Sequence, residues 1–157
     1  MTAKNWSEAL RDGAISGAIA GAATAAIAAL RGARDSGSAI APINATSHVL
    51  HGEGAADVTH VDLEHTAVGF PIHVGSAMLW ATLYERAFGS AADRGDVGRA
   101  LAGGLAVSAL AYVTDYHAVP KRFTPGWEER VSGGSLALIY AALALSLPLR
   151  GLLRSRD

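Results

Sequence analysis

The sequence predicts an all-α integral membrane protein: a four-helix bundle with both termini cytoplasmic and a long outer-face connector between helices one and two. Three observations predict it. Four stretches, 13–30, 66–84, 100–114 and 131–149, hold no Asp, Glu, Lys or Arg over 18, 19, 15 and 19 residues. A helix crossing a bilayer core needs roughly 20 apolar residues, with about 17 tolerated. Half of the chain is hydrophobic and only 17% is charged, whereas a soluble domain carries about 25% charged residues. Finally, the basic residues are unevenly divided. Lys4, Arg11, Arg86, Arg94, Arg99, Arg150, Arg154 and Arg156 fall on the side that carries the termini, eight against the five of Arg31, Arg34, Lys121, Arg122 and Arg130. The richer side marks the cytoplasm. The 157 residues read as one four-span domain, with spans at about 12–31, 66–88, 97–117 and 130–150.

Each element has a local reason. Asn5 followed by Glu8 is a capping-box signature that starts the first helix near residue 7. Its apolar run is span-length and lacks a convincing cleavage site, so it reads as a retained helix and not as a signal peptide. Gly13, Gly17 and Gly21, continued by Ala25, form a small-residue stripe at which another helix backbone can approach closely. In the connector, 36–52 is also uncharged but contains Pro42, Asn44, Thr46, Ser47, His48 and His51. Lipid would leave those polar groups unpaired, so the stretch is expected as a surface or interfacial segment with a short helix at 44–50. Helix two tolerates Pro71 near its first turn, and Glu85 at its end is expected to pair with Arg99. Helix three repeats the small-residue spacing at Ala100, Gly104 and Ser108. Pro120 and Pro125-Gly126 break the chain before helix four. Trp6, Trp80, Tyr84 and Phe88 at inner span ends, and Phe70, Tyr112, Tyr116, Phe123 and Trp127 at outer ones, read as interfacial anchors.

The net charge of −1 argues against a nucleic-acid partner, and the absence of cysteine excludes disulfides and thiolate chemistry. All six histidines, His48, His51, His60, His65, His73 and His117, map to the outer half with Asp57, Asp62, Glu64, Asp115, Glu128 and Glu129. His73 lies inside an uncharged run, where an ionisable group faces the bundle and needs a partner. Tyr112, Ser135 and Asp115 are the expected candidates. Imidazole with carboxylate suits zinc, iron or copper, which nominates His65, His73, Asp115 and His117 as metal ligands, with haem a lesser alternative. No HExxH, HxxEH, GxSxG, phosphate-binding GxxxxGK[ST] or dinucleotide GxGxxG pattern accompanies them. The inner halves of the spans hold little polarity beyond Ser16, Thr24, Thr82 and Glu85, which argues against an ion pump.

The stretches HTAVGFPIH at 65–73, Trp80 with Tyr84-Glu85, and DYHAVPKRFTPG at 115–126 together resemble those of small, uncharacterised bacterial inner-membrane proteins. The resemblance covers most of residues 41–130 and implies a multi-pass location in the bacterial inner membrane, with no assigned reaction. The expectation for function is a non-enzymatic accessory or interaction subunit, packing through Gly13, Gly17, Gly21 and Gly104. Its partners would be the lipid bilayer and a homo-oligomer or larger membrane complex. The alternative is a membrane-embedded metal- or haem-binding protein, or an enzyme, using the outer His/acid cluster.

Overall fold

The computed structural model describes residues 3–156. Helix α1 (Trp6–Asp35) opens on the expected capping box: Asn5 Oδ1 accepts from the Glu8 N–H at 2.9 Å, and Glu8 accepts from the Asn5 N–H at 3.0 Å. The connector folds as two short helices, α2 (Ala41–Thr46) and α3 (His48–His51), and a 3₁₀ turn, Glu53–Asp57. Helix α4 (Thr66–Tyr84) then runs through a π-helical stretch, Glu85–Gly89, into α5 (Ser90–Asp93). Helix α6 (Val97–Val113) ends in a second π-helical stretch, Thr114–Ala118, and α7 (Gly133–Ser146) leads past Pro148 into α8 (Leu149–Arg154). Four stretches, Trp6–Asp35, Thr66–Asp93, Val97–Ala118 and Gly133–Arg154, are long and apolar enough to cross a membrane. No strand occurs among the described residues.

The four long helices form a ring in which α1 neighbours α4 and α7, and α6 neighbours the same two. Ala20, Ala28, Ala81 and Ala111 are fully buried beside larger core residues such as Tyr84, Ile139 and Leu147, while Leu30, Leu79, Leu105 and Leu110 are exposed. The buried alanines let helix backbones approach closely, and the exposed leucines suit lipid. A Cβ on Gly17 would lie 2.5 Å from Met78 Cα, one on Gly13 would strike Thr82, and one on Gly104 would strike the Ala144 carbonyl. Gly21 faces Ala77 and Val74. The small-residue stripes are thus occupied by the bundle's own helices. Polar bonds pin the remaining contacts, with Tyr84 donating to Ala100 O at 3.2 Å and Ser108 donating to Tyr140 O at 2.6 Å.

Two expectations need correction. Glu85 does not meet Arg99. It is fully buried and accepts from Arg150 through two bonds of 2.9 Å, from Lys4 at 2.7 Å and from Ser16 at 2.5 Å. Pro148 turns the chain into α8 and so presents Arg150, and a Cβ on Gly89 would collide with the Glu85 carboxylate and sit 2.9 Å from Lys4 Nζ. Asp12 and Asp93 complete the cluster at 2.8 and 2.6 Å from Lys4. Burial alone would pull the Lys4 ammonium down, but bonds to Asp12, Asp93 and Glu85 outweigh it and leave its pKa raised.

The second correction concerns 36–52, which is not a surface segment throughout. Every residue of α2 is buried, because its polar groups find partners inside the protein. Asn44 donates to Val58 O at 2.8 Å and His60 O at 2.9 Å, and accepts from Thr66 Oγ1 at 2.6 Å. Exposure within the stretch is confined to its ends, with no buried residue in α3 and with Gly37, Ala39 and Gly52 exposed.

Candidate functional site

Beneath α2 and α3, at the end of the bundle that carries the connector, two neighbouring cavities share Thr124. The inner one measures ≈ 80 Å³, and its walls include Thr24, His73, Trp80, Asp115, Trp127 and Tyr140.

His73 is supplied by α4 and is 5% exposed. It points into the bundle as expected, but its partner lies on α1 and not on the third span. Its Nε2 lies 2.9 Å from the Gly21 carbonyl and 3.2 Å from Thr24 Oγ1. The glycine stripe explains the difference, since it brings the α1 backbone within reach of α4. A carbonyl only accepts, so Nε2 carries the proton, and Nδ1 keeps a lone pair whenever the ring is neutral. The Thr24 hydroxyl donates to Ala20 O at 2.7 Å and therefore also accepts from His73.

Trp127 packs against that imidazole with ring centroids 5.3 Å apart. It is 6% exposed, and its indole N–H has no partner among the described residues. Gly126 places it. The glycine sits at φ +78°, and a Cβ there would lie 2.8 Å from Ala45 O and 2.9 Å from His48 Nδ1, so both backbone conformation and space demand glycine. Asp115, from the second π-helical stretch, accepts from the Tyr140 hydroxyl at 2.7 Å. Such stretches recur at functional sites because they re-aim side chains.

Of the four nominated ligands, only His73 and Asp115 line a common cavity. His65 is held elsewhere, with Nδ1 2.8 Å and its backbone N–H 2.6 Å from Asp62, and its ring 5.1 Å from that of His51. Asp62 thereby caps the start of α4, and the bond from the His65 ring, followed by the backbone N–H bonds, holds its carboxyl at about 2. His117 lies edge-on to Tyr112 at 5.6 Å. Two residues apart on a helix, His117 and Asp115 do not share a face. Among the described residues no three histidines or acids are grouped to hold a metal ion.

The outer cavity measures ≈ 420 Å³ and is lined by residues of α2 and α3 on one side and 121–129 on the other, including His48, His51, Glu53, Lys121, Arg122 and Glu129. The two walls are joined by His48, whose ring nitrogens lie 2.8 Å from Ala45 O and 3.3 Å from Lys121 O, and by Arg122 Nε, which donates to Val49 O at 3.1 Å. Sequence reasoning treated Trp127 and Phe123 as membrane anchors and passed over Arg122. The overlooked signal was Pro125-Gly126 directly before a tryptophan, a turn that aims the ring inward. No family model, curated protein or solved structure matches the chain, and function is therefore read from the site itself.

Proposed function

We propose that the protein is a non-enzymatic binding protein of the bacterial inner membrane, with both termini cytoplasmic, that holds a small-headed ligand in the two joined cavities of its outer face. The observation that carries this reading is the buried, unpartnered N–H of Trp127 beside His73. A buried donor without an acceptor costs about 1–3 kcal/mol, and a ligand oxygen in the inner cavity would remove that cost. Binding suits the site better than catalysis because most of its polar atoms are already engaged: His73 Nε2 with Gly21, Tyr140 with Asp115. What remains unpaired on the cavity wall is the buried Trp127 N–H, with His73 Nδ1, the Ser76 hydroxyl and the Trp80 indole N–H beside it.

Size limits the ligand. At ≈ 80 Å³ the inner cavity is well under the roughly 150 Å³ that accommodates benzene. A carbonyl, a hydroxyl or a slim chain enters; the bulk stays in the outer cavity. Gly13, Gly17 and Gly104 face the bundle's own helices, so a homo-oligomer or accessory role would need other surfaces.

Native mass spectrometry of protein taken directly from membranes tests the reading. A defined co-purifying molecule is expected. Ser76→Phe, on an exposed residue lining the inner cavity, should exclude it, and Trp127→Phe should weaken its retention about tenfold, as for one lost hydrogen bond. Identical occupancy in all three proteins, or none in the wild type, would contradict the proposal.

A further inference from the structure

We propose that the outer cavity is an anion seat centred on Arg122, and that the ligand is an amphiphile with a phosphate or carboxylate head whose body reaches the inner cavity. This rests on the binding reading above and names the ligand's chemical class.

Arg122 is the group that selects an anion. Its Nε–H is fixed on Val49 O, which orients the guanidinium and leaves its two terminal nitrogens as donors. No acid lies within ion-pair distance of it among the described residues. Its neighbour Lys121 differs, being held by Glu53 at 3.0 Å and Glu129 at 3.8 Å. The acids that line this cavity are therefore committed to Lys121, and the cation left over is Arg122. A guanidinium with two parallel N–H donors matches a phosphate or carboxylate edge. His48 is taken up by the Ala45 and Lys121 carbonyls, but His51 lines the same space and, with Nδ1 3.6 Å from Glu64, adds its Nε2 as a group able to bond an anionic head.

Volume and depth argue for an amphiphile over a free ion. The outer cavity, at ≈ 420 Å³, is far larger than a bare phosphate needs, and Thr124 is the wall it shares with an inner compartment lined by Trp80, Phe123 and Trp127. The chemistry runs from charged on one side of Thr124 to aromatic on the other. A charged head at Arg122 and a slim, partly apolar body towards Trp127 satisfy both compartments at once.

The test uses wild-type protein in phosphatidylcholine nanodiscs, titrated with decyl phosphate, decanoate, decyl maltoside and inorganic phosphate. Saturable binding of decyl phosphate or decanoate is expected. It should weaken about fivefold in Arg122→Gln, the effect of one exposed ion pair, and fall as salt rises. Arg34→Gln, another basic residue assigned to the same membrane face, should bind as the wild type does. Inorganic phosphate binding as tightly as decyl phosphate would overturn the amphiphile. Decyl maltoside binding equally well, and being blocked by Ser76→Phe, would overturn the anion seat while leaving the binding reading intact. Absence of saturable binding by both decyl phosphate and decanoate would overturn the anion seat, while the binding reading stands or falls with the co-purifying molecule.

Discussion

Adding one methyl group at Gly17 and one at Gly21 should have opposite effects, although the two residues share a helix face. At Gly17 the new Cβ would lie 2.5 Å from Met78 Cα and 2.9 Å from Met78 N. Both are backbone atoms and cannot swing away. Restoring an ordinary contact of at least 3.4 Å requires α1 and α4 to part by about 1 Å, and overpacking of this kind costs about 1–3 kcal/mol. At Gly21 the closest atom is Ala77 Cβ at 3.5 Å, an ordinary contact. There the reduced backbone freedom of alanine stabilises the helix by about 0.4–1 kcal/mol. Gly17→Ala should therefore be the less stable of the two by roughly 1.5–4 kcal/mol, measured by SDS-induced unfolding in mixed micelles. Gly17→Ala at or above the stability of Gly21→Ala would show that α1 does not meet α4 along this stripe.

Arg150→Met should cost about 3–5 kcal/mol by leaving Asp12, Glu85 and Asp93 with Lys4 and the exposed Arg11 on Asp12, as expected for a buried pair losing one member; Arg94→Met, on an exposed turn, should change little in the same unfolding assay, and equal losses would refute the cluster's role. Asp62, whose carboxyl is held at about 2 against an ordinary 3.8, contributes stability that is present above the ordinary value and lost as pH falls through the lowered one. Asp62→Asn should accordingly lower the melting temperature by a constant amount above about pH 5, and the gap from wild type should close between about pH 4 and 2; a gap unchanged at pH 2 would contradict the capping geometry. Reporter fusions after Arg94 should be active in the cytoplasm and those after Gly54 outside it, following the bias of basic residues; the reverse pattern would invert the orientation.

The spans were legible because bilayer thickness imposes a length on any apolar run, and charge-free stretches are visible without tertiary knowledge. The start of α1 was equally plain, since Asn5 and Glu8 act within one turn. Glu85's partners were hidden for the opposite reason. Arg150 reaches it only through the turn at Pro148 and the space at Gly89, and neither is a local property of residue 85. The partner of His73 was half legible. The stripe at Gly13, Gly17 and Gly21 already implied an exposed helix backbone, whose Gly21 carbonyl turns out to be the acceptor. Trp127 was misjudged because an aromatic at a span end ordinarily anchors at the interface, whereas the left-handed Gly126 buries this ring. The connector misled through its polarity, which Asn44 satisfies internally.

The most direct test of the binding claim is the indole ¹⁵N–¹H spectrum of the protein, which has three tryptophans and so three separable side-chain signals, assigned by Trp6→Phe, Trp80→Phe and Trp127→Phe. In delipidated protein the Trp127 N–H lacks an acceptor among the described residues. Adding back the membrane lipid extract should move its proton signal downfield as a hydrogen bond forms, leave the exposed Trp6 in place, and fail to do so in Ser76→Phe. A Trp127 signal that is the same with and without extract, or that shifts equally in Ser76→Phe, would contradict a ligand in the cavity.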